Sequence, residues 1–367
     1  MTKKRNGEID LLRFIFSVMI VIHHYNASFN FKILHNGYIA VEFFFLLSGY
    51  LMAQSAYKIV SKKSQLEPSE IADSTWSFII KKVKAFYPYY AFAVIFQVIV
   101  RNIFVNHDSL DSLVSGFLRS LPTFTLTFLG FNNNSKTLHV GSTWYLSAMI
   151  IAMFILFPFL LKNFHVSSKL FFPAMSMFVL GYLYQTYGTI ANWGTWSGLC
   201  FNGILRAVSE IAFGASLFVL TDWLKKKYGN IADRNKLVKL FFTGVKLFSL
   251  GIVFLFALGL PIKGFNLHAY FFCAIVITIS FSGLSYYIPG NKLTNYLGKI
   301  SLPIYIFHSI IRYSIAESLE NPDVVTLKWF VIMSVGTVII CIVLMYVTDF
   351  VADLTRKITS KVMNAGQ

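Results

Sequence analysis

Charge is scarce in this chain. Of its 367 residues only 13% are Asp, Glu, Lys or Arg, against 56% hydrophobic, and the mean hydropathy is +0.62. Soluble domains carry about a quarter of their residues as charges, so a string of soluble domains is excluded and a polytopic membrane protein remains. Cysteine is scarce too. Cys200, Cys273 and Cys341 sit in separate apolar segments without paired spacing, which excludes a disulfide framework and a cysteine metal site. The first apolar run follows Lys3, Lys4 and Arg5 but has no small-residue cleavage site after it, so no removable signal is expected. Internal repeats, low-complexity tracts and an appended soluble domain are also lacking, and residues 1–367 read as one membrane domain.

What is present is a succession of apolar runs bounded by charge and turn residues. They predict an all-α bundle of about ten transmembrane helices, near 9–29, 38–57, 84–105, 142–162, 168–188, 199–223, 240–260, 266–288, 294–314 and 328–353. Basic residues are concentrated on one side of this scheme, at Lys58, Lys62, Lys63, Lys81, Lys82 and Lys84, and again at Lys225, Lys226, Lys227, Arg234, Lys236 and Lys239. The positive-inside rule then places both termini in the cytoplasm. The formal net charge of +16 is thereby explained by topology, without nucleic acid. Two connections are long: a Lys-rich inner one over 58–83 and an outer one over 106–141, whose apolar half could re-enter the membrane.

The first run, Asp10 to Tyr25, carries an arginine and two histidines. A helix turns about 100° per residue, so Arg13 and His24, eleven apart, share a face to within about 20° and lie about 16 Å apart along the axis. Ser17 and Ile20 lie between them on that face, and His23 points elsewhere. Ionisable side chains in a spanning helix usually face a polar interior. This helix is therefore expected to place a permanent cation and a titratable imidazole at two depths of a common passage.

Other runs repeat the pattern. Glu42 lies about one turn inside the outer end of the second, at a depth like that of His24, where it would either orient the imidazole or pair with another neighbour. Ser301, Tyr305, His308 and Arg312 form a polar stripe on the ninth, either gluing helices together or lining a substrate path. Arg206 and Glu210, one turn apart on the sixth, are expected to form an ion pair. His139, Trp144 and Tyr145 mark the outer mouth of the fourth, as an interfacial belt or a platform for a sugar ring.

Several of these segments resemble the bacterial acyltransferase type 3 family of integral membrane O-acyltransferases. Arg13 and His24 match its arginine and histidine with ten residues between. Val41, Glu42, Phe43, Phe44, Leu47, Ser48, Gly49 and Tyr50 match its Val-Asp/Glu-Phe-Phe and Ser-Gly segment. Lys81 to Tyr89 match a basic stretch before a Pro-aromatic pair, Trp144 to Leu146 a Trp-Tyr-Leu segment, and Leu297, Gly298, Ser301, Tyr305 and His308 a further one. Ala40 stands where the family has glycine, Ala85 where a basic residue is common, and Ala148 and Met149 where many members carry a glutamate. This last departure points to different acceptor handling.

The resemblance implies a bacterial cytoplasmic-membrane enzyme. It would move an acyl group, commonly acetyl, from cytoplasmic acyl-CoA to a hydroxyl of an extracytoplasmic or lipid-linked glycan, with no metal. Arg13, Lys81, Lys82 and Lys84 would hold the donor's phosphates, and His24 would act as base with Glu42 or Tyr305 orienting it. His139, Trp144, Tyr145, Ser301, His308 and Arg312 would contact the acceptor. The expected partners are the glycan and membrane lipids, with self-association left open. Two other classes fit the polar stripes: a transporter or flippase of a glycan or lipid-linked precursor, and a structural subunit of a glycan-assembly complex.

Overall fold

The computed structural model describes residues 6–29, 33–63, 65–100, 110–126, 143–259, 265–317 and 325–365. Among them, besides a short 3-10 turn at Leu121–Thr125, are eleven helices: α1 (Gly7–Phe29), α2 (Ile39–Val60), α3 (Pro68–Ile99), α4 (Leu110–Ser120), α5 (Trp144–Lys162), α6 (Phe164–Tyr187), α7 (Asn202–Arg234), α8 (Lys236–Ala257), α9 (Phe265–Ser282), α10 (Lys292–Glu317) and α11 (Leu327–Ala365). No strand occurs among the described residues, only two isolated bridges. Six helices are long and apolar enough to cross a membrane: α2, α5, α6, α7, α8 and α11. The other four expected spans are helical as well, as α1, α3, α9 and α10. Charges inside the runs, such as Asp10 and Arg13 on α1 and Lys299 and Arg312 on α10, lower their hydropathy.

Several helices outrun their apolar stretches. α3 starts at Pro68, so much of the expected Lys-rich loop is helix. Its start is set locally: Glu67 and Glu70 form a reciprocal capping box, with the Glu67 backbone N–H donating to the Glu70 carboxylate at 2.8 Å and proline in the first turn. Between α7 and α8 the break is Asn235, whose side chain accepts from the Leu237 N–H at 2.9 Å. Asn163 caps the start of α6 in the same way, and α6 ends on Gly188 at φ +68°. Of the long outer connection, α4 and the turn after it dock on the bundle. Tyr90 donates to the Thr123 carbonyl at 2.6 Å and Ser147 to the Leu126 carbonyl at 2.6 Å. Eleven helical residues reach about 16 Å, too short to span.

Two crossings position the site. α2 and α7 touch backbone to backbone. A Cβ on Gly49 would collide with the Ile211 carbonyl, and one on Gly214 with the Leu46 carbonyl, the small-residue packing that membrane helices favour. α1 runs along α10, where Gly298 leaves room only for the Asp10 side chain. Polar ties complete the frame. The buried Lys246 ammonium on α8 meets Glu8 at 2.7 Å, Tyr25 on α1 and Thr337 on α11 share a hydrogen bond at 2.6 Å, and Asp349 on α11 takes Lys299 at 2.9 Å and Tyr89 at 2.7 Å.

Candidate active site

Along α1 the face carrying Asp10, Arg13, Ser17, Ile20 and His24 looks inward. His24 Nδ1 lies 2.9 Å from the Ile20 carbonyl, four residues back in the same helix. A nitrogen–oxygen contact of this length needs a ring N–H, so Nδ1 carries a proton, and in the neutral ring Nε2 then keeps its lone pair. The same Nδ1 lies 3.2 Å from Nε2 of His308 on α10. His308 is fully buried, and its own Nδ1 sits 2.8 Å from the Tyr305 carbonyl and 3.1 Å from that of Ile304. By the same rule its Nδ1 donates and its Nε2 accepts. The two rings therefore interlock as donor and acceptor, with centroids 5.0 Å apart. Arg312, one turn beyond His308, donates to the His24 carbonyl at 3.4 Å.

The stripe on α10 thus faces α1. Tyr305 adds a second contact, its ring 5.4 Å from that of Tyr145 and 6.0 Å from His308. The Tyr145 hydroxyl in turn meets Ser48 at 3.2 Å. Ser301 turns its hydroxyl to the Gly298 carbonyl of its own helix. A line of side chains therefore runs from Ser48 on α2 through Tyr145, Tyr305 and His308 to His24.

Glu42 does not join it. Its carboxylate pairs with the Arg206 guanidinium at 2.5 Å, and Arg206 Nε also holds Glu210 at 3.0 Å. All three are buried, and the third Arg206 nitrogen donates to the Ala191 carbonyl at 3.0 Å. The expected Arg206–Glu210 pair is present, while the orienting role for Glu42 at His24 gives way to this alternative neighbour. Trp144 and Tyr145 are not belt residues facing lipid. Both are buried; Trp144 lies under Arg206, 5.6 Å from ring to guanidinium carbon, and stacks on Trp193.

At the other end of α1, Arg13 forms the wall of a cavity of about 520 Å³ with Asp10, Tyr50, Gln54, Thr221, Asp222 and Lys225. Asp10 holds Arg13 at 3.4 Å. Lys82 joins them electrostatically. Burial first, then Arg13 and Lys81 nearby, push its ammonium below the usual lysine range. Lys81 and Lys84 are exposed. Between Arg13 and His24 the shared face of α1 is packed: Ser17 and Ile20 are buried, and Arg13 is the last α1 residue in the wall of this cavity. His139 lies outside the described residues. Among those described, no cluster of three or more His, Cys, Asp or Glu could hold a metal.

Periodicity did not reveal that His308 is the partner of His24, because it gives the face of a residue and not the helix opposite. Trp193 was also missed. Its signal was a pair of tryptophans, Trp193 and Trp196, in the Gly- and Ser-containing connection before α7. No curated protein and no solved structure matches the chain. A family model described as an acyltransferase domain matches residues 6–346 of the 367. By this match over most of its length, the chain belongs to the acyltransferase type 3 family of membrane acyltransferases.

Proposed function

We propose that the protein is an O-acyltransferase of the bacterial cytoplasmic membrane. It moves an acyl group, acetyl in the simplest case, from cytoplasmic acyl-CoA to a hydroxyl of an extracytoplasmic or lipid-linked glycan. The bundle crosses the membrane about ten times with both termini inside. The observation that carries this reading is the His24–His308 pair. With Nδ1 of His24 held as donor on the Ile20 carbonyl and the His308 lone pair, the free Nε2 is the base.

Nε2 takes the proton of the acceptor hydroxyl as its oxygen attacks the thioester carbonyl. The bond from that carbon to sulfur breaks, and the thiolate leaves and collects the proton from the imidazolium. Base catalysis of this kind contributes typically about 10²–10⁴ in rate. Arg13 in the cavity wall, with Lys82 close enough to feel its charge, suits the donor's phosphates. To reach the imidazole the thioester has to pass the level of the buried Ser17 and Ile20.

Purified protein in vesicles, given radiolabelled acetyl-CoA and a glycan acceptor, is expected to place label covalently on the glycan. His24→Ala should lose at least about a hundredfold of that rate. Full activity in the variant, or label that crosses the vesicle without joining the glycan, would refute the reading.

A further inference from the structure

At the end of the bundle where α7 begins, a stack of side chains rises from the buried acids to the surface. Glu42 and Glu210 fix Arg206, the Arg206 guanidinium lies 5.6 Å from the centre of the Trp144 ring, and Trp144 stacks on Trp193 at 5.2 Å with the rings only 8° apart. Exposure changes sharply along it, from 7% at Trp144 to 39% at Trp193. One side of the Trp193 indole is backed by a rigid ring, and the residue stays open to its surroundings.

The loop that carries Trp193 is held to the start of α7 at three points. Arg206 donates to the Ala191 carbonyl at 3.0 Å, the Gly203 N–H to the Trp193 carbonyl at 2.9 Å, and the Asn202 N–H to the Thr195 carbonyl at 2.9 Å. Gly203 makes this possible, because a Cβ there would press at 3.2 Å on both the Trp144 ring and the Trp193 carbonyl. Irregular backbone of this kind is not tolerated against lipid tails, so the indole sits at the aqueous end of the bundle. A membrane anchor needs only to lie at the interface. It does not need a buried ion-pair hub to hold one ring orientation.

The geometry points to Trp193 as the stacking platform for a pyranose ring of the acceptor. A sugar ring presents a face of C–H bonds that packs on an indole while its hydroxyls stay in water, and a platform fixed in advance loses little entropy on binding. The stack also leads toward the chemistry. Phe45 touches both Trp144, at 6.1 Å, and Tyr145, at 4.4 Å, and from Tyr145 the contacts run through Tyr305 to His308. This assignment rests on the acyl-transfer reading and names the substrate class that its acceptor side takes.

The test uses the full-length protein in vesicles with radiolabelled acetyl-CoA. The acceptor is the surface-glycan extract of the cells that make the protein, titrated by hexose content. Trp193→Leu keeps apolar bulk against Trp144 but has no ring face, whereas Trp193→Tyr keeps a ring. For Trp193→Leu the glycan concentration at half-maximal rate should rise about five- to tenfold, the range expected for loss of one aromatic contact, with the acetyl-CoA dependence unchanged. Trp193→Tyr should stay close to wild type. A Leu variant with unchanged glycan dependence would overturn the assignment. So would equal loss in both variants, or a matching shift in the acetyl-CoA dependence. No labelled glycan with wild-type protein is a different result, and it would overturn acyl transfer itself.

Discussion

At the scale of single residues, the site depends on which nitrogen of each histidine holds a proton. Two backbone carbonyls around His308 Nδ1 make Nε2 its acceptor, and that acceptor faces Nδ1–H of His24. Under the proposed mechanism His308 would be a positioning residue, acting through His24. Glutamine at 308 retains an amide oxygen able to accept the same hydrogen bond, whereas leucine only fills the space. The expected order of turnover is wild type, then His308→Gln, then His308→Leu, with the Leu variant down at least about tenfold, less than loss of the base itself. Initial rates at saturating acetyl-CoA and acceptor measure this. Equal rates for the Gln and Leu variants would mean that His308 serves packing alone. The Arg13–His24 face was legible from spacing on one helix. The His308 partnership was not, since a helical repeat gives direction around an axis without naming the helix it meets. Glu42 illustrates the same limit. Its depth matched His24 and left another neighbour open, and the close α2–α7 crossing gave it to Arg206.

At the scale of elements, glycine decides where helices touch. Gly49 and Gly214 face each other's backbones across α2 and α7, while Gly244 on α8 has no neighbouring atom within 4 Å of where a Cβ would stand. The same substitution should therefore act in opposite directions at the two kinds of site. Gly49→Ala forces the crossing apart and should cost about 1–3 kcal/mol, with the Glu42–Arg206 pair one or two turns away disturbed as well. Gly244→Ala meets open space and removes a poor helix former, which should add up to about 1 kcal/mol. Thermal unfolding midpoints in detergent, down for the first and level or up for the second, check both. Composition made the helices legible and left their ends obscure. α3 and α7 continue well past their apolar runs because capping residues and good helix formers, not hydropathy, set where a helix begins and stops.

At the scale of the whole molecule, the proposal requires the two ends of the bundle to face different compartments. The cavity with Arg13, Asp222 and Lys225 belongs to the end where α7 finishes, and the Trp193 loop to the end where α7 starts. On the proposed reading one helix would link the donor side to the acceptor side, and its orientation decides whether cytoplasmic acyl-CoA can reach Arg13. The Lys225–Lys227 cluster on α7 argues that its C-terminal end is inside. Cysteine labelling measures this directly. Cys273 and Cys341 are buried, and the half-buried Cys200 is changed to serine. A single cysteine is then placed at an exposed position on either side, Thr195→Cys in the Trp193 loop or Asn230→Cys near the end of α7. With a membrane-impermeant maleimide on intact cells, Thr195→Cys should label at once and Asn230→Cys only after permeabilisation. The reverse pattern would put Arg13 and Lys82 outside, away from any supply of acyl-CoA, and the donor assignment would fall even with the His24–His308 pair intact.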